Sequence, residues 1–255
     1  MKNTLMRLAR IWLVIVALYG GGFSPCTPGE ANADDLSEFV ADTTFSIDRG
    51  FYAGGISVAI NETTRVRARV FDGTNWSALN EAVFVQDLSQ LVVSEIMYNP
   101  LPPTSAEQAA RFDNNEDFEF IELLNTSTEL LDLTGVRVVD GINFDFIDSD
   151  ITALPADDRI VLVNDRDAFE FRYGRNVPIA GQYSGKLKNE GEEIRCLDAN
   201  DQIIFAFTYD SISPWPEAAN GEGAALTLLA PYTLPDHSLP TSWTASSILG
   251  GTPGE

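Results

Sequence analysis

A chain of 255 residues in which 44% are hydrophobic has enough apolar mass for one large or two small domains, each with a core. Its 38 acidic residues outnumber 16 basic ones and give a formal charge of −22, which repels phosphate backbones and anionic lipid and excludes nucleic acid as a partner. The same excess suits a well-solvated surface outside the cell, a cation, or a basic partner.

Residues 1–33 read as an export signal. Lys2, Arg7 and Arg10 make a basic start, Ile11 to Tyr19 is a short apolar run, and Ala31-Asn32-Ala33 offers small residues around a cleavage point. The run falls short of the roughly 20 residues that span a bilayer, so no membrane insertion is expected after cleavage; a retained anchor lengthened through Gly20–Phe23 is the alternative. Cys26 follows Phe23-Ser24-Pro25, a poor match to a lipoprotein box. Cleavage would leave Cys196 as the one cysteine, which excludes an internal disulfide. In Glu193-Ile194-Arg195-Cys196-Leu197, a predicted strand, its thiol reads as a small buried hydrophobe.

Residues 34–86 form a separate, smaller β unit. Phe45 to Tyr52, Ile56 to Ile60, Thr64 to Phe71 and Ala82 to Val85 are its strand candidates, and the third alternates Arg65, Arg67 and Arg69 with apolar residues. Asp72-Gly73 gives a turn before Trp76. The segment resembles part of the small β-sandwich modules at the C-terminus of chitobiase-like enzymes, without the hairpin between their two halves. Its core is marginal at this length. Asp87–Gln90 is too short for a flexible linker, which predicts that the two units sit close together.

The stretch Leu91 to Val139 sets the pattern for the rest. Leu91-Val92-Val93-Ser94-Glu95-Ile96-Met97 is a predicted strand closed by Asn99-Pro100. Leu101 to Asn115 is a long excursion, with Pro102 and Pro103 blocking regular structure at its start and Ser105 to Phe112 able to make one or two helical turns. Phe118 to Leu124 is apolar on both faces, as in an inner strand of a packed sheet. Phe118, Phe120, Glu122 and Leu124 share one side; Glu119, Ile121 and Leu123 share the other. Leu131-Asp132-Leu133-Thr134-Gly135 then turns into Val136 to Val139. Further on, Ala168 to Tyr173 reads as a short helix capped by Asn164 or Asp165. No internal repeat is present.

Taken in order, SEIMYNP, DFEFIELLNTST and LDLTGVRVVDG resemble the start of a bacterial lamin-tail domain. Leu154-Pro155 before IVLV, the Gly181–Gly185 segment, KLKNEGEEIRCLDANDQIIFAFTYD, Trp215-Pro216, Gly221, Gly223 and LTLL, Ser242-Trp243 and Gly251-Thr252-Pro253-Gly254 continue the likeness to Gly254. The resemblance implies an all-β fold over residues 91–255, an immunoglobulin-like β-sandwich of lamin-tail type behind the small N-terminal β unit. It also implies a non-enzymatic interaction module, and it carries over no catalytic residue.

The side chains themselves point the same way. His237 is the lone histidine, which excludes a His-rich metal site and makes a histidine-based triad improbable; in Leu234-Pro235-Asp236-His237-Ser238 it reads as an exposed loop residue. Glu119 and Glu122 have opposite parity and cannot work as a catalytic pair across one face. No cofactor is indicated, and calcium is the one candidate metal. Asp113, Glu116 and Asp117 lie in one acidic stretch and Asp145, Asp148 and Asp150 in another, each at a strand end with several oxygens, and calcium takes six to eight. Neither stretch has the EF-hand pattern, and a solvated acidic loop is the plain alternative. Trp76, Trp215 and Trp243 lie in or beside turns, where a ring can stack on a sugar but more often plugs the end of a sandwich core; Trp215, between Pro214 and Pro216, is the most exposed of the three by this reading and the candidate ligand-binding residue.

The sequence therefore predicts an exported, non-catalytic adhesion or interaction module, secreted, periplasmic or at the cell surface, whose partner is a protein or a cell-envelope polysaccharide. The alternatives are a carbohydrate-binding module, a calcium-dependent accessory domain of a larger surface protein, and a small carboxylate hydrolase.

Overall fold

Seven consecutive residues, Leu91–Met97, form a strand in which every side chain is buried. The reason lies on both sides of the sheet that contains them. In the computed structural model, which describes residues 86–255, residue 78 and the backbone of residues 11–13, 56–58, 64–68 and 80–84, the chain divides into two compact units, Met1–Gln86 and Asp87–Glu255. In the first, β1 (Ile11–Leu13), within the segment read as an export signal, pairs antiparallel with β2 (Ile56–Val58). β3 (Thr64–Ala68) pairs antiparallel with β4 (Asn80–Phe84). The strand predicted over Phe45–Tyr52, the Asp72-Gly73 turn and Trp76 lie outside the described residues.

The second unit is a two-sheet sandwich. Its strands are β5 (Leu91–Met97), β6 (Phe120–Asn125), β7 (Leu131–Asp132), β8 (Arg137–Val139), β9 (Ile142–Asp145), β10 (Ala153–Leu154), β11 (Arg159–Val163), β12 (Ile179–Gln182), β13 (Ser184–Gly185), β14 (Glu193–Leu197), β15 (Ile203–Thr208), β16 (Leu226–Leu228) and β17 (Trp243–Ala245). One sheet runs β12-β11-β6-β5-β16-β17 and the other β13-β9-β8-β14-β15; β7 and β10 make a separate ribbon. All of these pairings are antiparallel except β11 with β12.

Between the sheets, Val93, Ile96, Ile121, Leu123, Ile160, Leu162 and Leu226 meet Val138, Ile194, Cys196 and Phe207 in one continuous core. On the other side of the six-stranded sheet, Met97, Phe120, Val161, Val163 and Ala225 pack against Phe169 and Ile179 in a second core. Phe169 belongs to α2 (Arg166–Tyr173), whose first turn is capped by Asp165 accepting from the Ala168 amide at 2.9 Å. The helix starts two residues before the predicted Ala168. A shorter helix, α1 (Ser105–Ala109), carries a full capping box between Thr104 and Glu107. The sheet is apolar on both faces because a helical layer covers its outer face, which adds to the two-layer arrangement expected from the sequence. β15, by contrast, buries one face only and forms an edge.

Cys196 is fully buried in the main core, and burial pushes its thiol well above the ordinary range. It should resist a thiol reagent in the native protein and react at once in denaturant. A Cβ added at Gly181 would collide with the ring of buried Phe144. Gly181→Ala should cost about 1–3 kcal/mol in urea unfolding through overpacking.

Candidate functional site

The outer face of the six-stranded sheet carries a cluster of buried polar side chains, and a fault in strand register creates it. β5 and β6 pair Val93 with Leu123, then skip a residue, so that Glu95 stands opposite Glu122, Ile96 opposite Ile121 and Met97 opposite Phe120. The extra residue is Ser94. Without the bulge Glu95 would face Ile121, inside the sandwich; with it, both glutamates lie side by side on the outer face.

Glu95 and Glu122 are each 2% exposed. Glu122 accepts from the Ser94 hydroxyl at 2.6 Å and from the Gly254 amide at 2.6 Å. The Arg159 guanidinium, from β11, lies 3.3 Å away. Glu95 accepts from the Thr252 amide at 3.0 Å and more distantly from the Thr227 hydroxyl on β16, at 3.4 Å. The donors Thr252 and Gly254 belong to a strap, Gly250–Glu255, laid across the sheet beside α2. Gly251 is indispensable to it, since its φ is +80° and a Cβ there would meet Glu95 at 2.7 Å. Burial is the largest influence on both carboxyls. It raises Glu95 to about 7, against the hydrogen bond from Thr252 and reinforced by the charge of Glu122, and it raises Glu122 as well.

Two further glutamates show how the surroundings set the charge. Glu107 takes a bidentate bond from Arg172, at 2.7 and 2.9 Å, and is held down to about 2 chiefly by that guanidinium. Arg172 also lies 3.3 Å over the Phe118 ring, so one side chain fastens α1 and the following turn to α2. Glu119 is fully buried and accepts from the Leu187 amide at 2.9 Å and the Tyr183 hydroxyl at 3.2 Å. Its partners are neutral, and burial drives it up to about 8. Glu119 and Glu122 face opposite sides of the sheet, as their parity predicts.

The residues singled out from sequence do not converge. Among the described residues no group of three or more histidine, cysteine, aspartate or glutamate side chains is arranged to hold a metal ion. Asp113, Asp148 and Asp150 are exposed. Asp117 accepts from the Asn114 amide, Glu116 pairs with Lys186 at 3.5 Å, and Asp145 caps the turn that contains Asp148. Asp117 and Asp145 thus serve their own turns, and Glu116 serves an ion pair. Trp215 corrects the expectation of an exposed platform: it is 8% exposed and packs against Trp243 in the main core. His237 is half-buried, not exposed, with its ring 5.0 Å from that of Phe207 and 5.7 Å from that of Trp243; burial lowers its pKa. The indole of Trp243 donates to the His237 carbonyl at 2.8 Å.

Residues 85–211 match the family model described as Lamin Tail Domain. The fold is an all-β immunoglobulin-like sandwich of that type, and the family is one of non-catalytic domains. Comparison with curated proteins gives no match, and comparison with solved structures gives none either. Among the described residues no helix is long and apolar enough to cross a membrane.

The Glu119 environment gives a pH prediction. Its carboxyl titrates higher in the folded protein than in an unfolded chain, so its contribution is fully present below about pH 4 and is lost as pH rises through about 8. Glu119→Gln should flatten the fall in urea stability over that window while leaving the other carboxylates' titration in place. Gly251→Ala should lower stability by about 1–3 kcal/mol and deprotect the Thr252 and Gly254 amides before those of β6.

Proposed function

We propose that this protein is an exported, non-catalytic interaction module that binds a protein or another cell-envelope component through its lamin-tail-type sandwich. The observation that carries this reading is an apolar rim along one open side of the sandwich. There β15 and β17 are the edge strands of the two sheets, and the loop joining β16 to β17 reaches across, with His237 set against Phe205 and Phe207 of β15. Ile203 on β15 and Leu229, Tyr232, Leu234 and Leu239 on that loop are all exposed, Ile203 at 61% and Tyr232 at 54%. Several exposed apolar side chains on one edge strand and the loop packed against it mark a contact surface on a strongly acidic protein, and an edge strand adds unpaired backbone groups on which a partner can align. The basic start and apolar run of residues 1–33 support export.

The test is capture from the native cell envelope by full-length protein, wild type against Ile203→Glu and Tyr232→Glu. A specific partner should be retained by wild type, and its capture should fall about tenfold or more in either variant with circular dichroism unchanged. Capture indifferent to both substitutions, or turnover of a sugar or phosphoester abolished by a carboxylate mutation, overturns the reading.

A further inference from the structure

We propose that Gly250–Glu255 is a releasable strap over the outer face of the six-stranded sheet, latched when the Glu95–Glu122 pair holds a proton and loosened when both carboxyls are ionised.

The geometry starts with two carboxylates in register on neighbouring strands, both buried, with one guanidinium, Arg159, 3.3 Å from Glu122. Two like charges this close in a dry site resist ionising together. Arg159 pairs with Glu122 and reaches Glu95 only through its longer-range charge, so full ionisation sets two negative charges against one positive under the strap. The remaining neighbours do not supply the missing charge. Ser94 on β5 and Thr227 on β16 are neutral hydroxyls, and Tyr173 on α2, which faces Glu95, is raised to about 12 and stays neutral. Arg172 on α2 is committed to Glu107 on α1, which remains ionised down to about 2.

The protonated state, by contrast, is accommodated without movement. Both hydroxyls can accept a hydrogen bond as readily as they donate one, so a protonated Glu95 can turn its O–H toward Thr227 while its other oxygen keeps the Thr252 amide. Glu122 can do the same with Ser94 and Gly254. The strap's own attachment is narrow. Thr252 and Gly254 donate to the two carboxyls, Gly250 donates to the Gly223 carbonyl, and the preceding turn leaves Ile248 and Leu249 more than half exposed. When the strap lifts, water reaches Glu95 and Glu122 and removes the penalty on their charge.

The sign follows from the direction of the shift. Glu95 titrates at about 7 with the strap closed and nearer the ordinary carboxylate range once solvated, so the closed state binds the proton more tightly. Closure is favoured at low pH and weakened as pH rises through about 7.

Hydrogen exchange of the full-length protein, corrected for the intrinsic pH dependence of exchange, tests this directly. Protection of the Thr252 and Gly254 amides should fall about tenfold or more between about pH 5.5 and about pH 8.5, while Ile121 and Leu123 in β6 keep theirs. Glu95→Gln, which stays neutral, should hold the strap closed at both pH values. Protection that is flat or rises with pH in wild type overturns the proposal whether or not the variant folds, as does a Glu95→Gln protein whose strap is open at the lower pH.

Discussion

The structure turns on one inserted residue in β5. The bulge at Ser94 divides the strand into a half that follows one parity and a half that follows the other. Val93 and Ile96 both point between the sheets, while Glu95 and Met97 point outward. Had the ladder continued without interruption, Glu95 would have been driven into an interior of Ile121, Leu123 and Leu162, with no donor to meet it. A carboxylate stranded in that way costs several kcal/mol, a large share of what keeps a domain of this size folded. The bulge moves that cost to a face where Ser94, Thr227, Arg159 and two strap amides can meet it. Even there burial outweighs the donors, since both carboxyls remain raised.

Four glutamates in one domain show what decides the outcome. Glu107 and Glu119 are both almost without solvent contact, yet one is held near 2 and the other near 8. The difference is the charge of the partner. A bidentate guanidinium supplies a full opposite charge at hydrogen-bond distance, whereas an amide and a phenol supply dipoles that only partly replace lost water. Glu95 and Glu122 have a single guanidinium for two carboxyls, and burial raises both. The α1–α2 fastening is therefore insensitive to pH across the neutral range, and the strap beside it responds. A rigid latch next to a responsive one lets the outer face change locally while α2 stays in place over Phe120 and Val161.

Much of this fold could be read in the residues. Leu91–Met97 is a strand with the predicted bounds, Phe118–Leu124 anticipates β6 within two residues, and Asp165 caps the helix that its position implied. These features depend on local chemistry: side-chain period, capping oxygens, proline and glycine at the breaks. What could not be read depends on pairing. Nothing in Val93-Ser94-Glu95 shows that Ser94 will be skipped, because the bulge is a relation between two strands. The Glu95–Glu122 pair stays hidden for that reason, although Gly251-Thr252-Pro253-Gly254 stood out as a landmark. Trp215 and His237 were misjudged for a related reason. Both sit in loops, but the loops fold over the open ends of the sheets and turn aromatic rings into the core. The acidic stretches at Asp113–Asp117 and Asp145–Asp150 have the composition of a cation site, and composition does not show that Asp117 and Asp145 accept from nearby backbone amides or that Glu116 pairs with Lys186.

The two surfaces that emerge make different physical demands. The rim around Ile203, Tyr232 and Leu239 is apolar and lies beside an edge strand, an arrangement that in a neutral protein invites self-association. Here a formal charge of −22 opposes the approach of a second copy over distances up to about a Debye length, roughly 8 Å at physiological salt. The repulsion is non-directional and acts between any two copies, whereas the apolar gain needs the rims to meet face to face. A partner that is neutral or basic escapes the repulsion and keeps the gain. If the apolar edge is the contact surface proposed for it, the acidic surface biases it toward partners unlike itself.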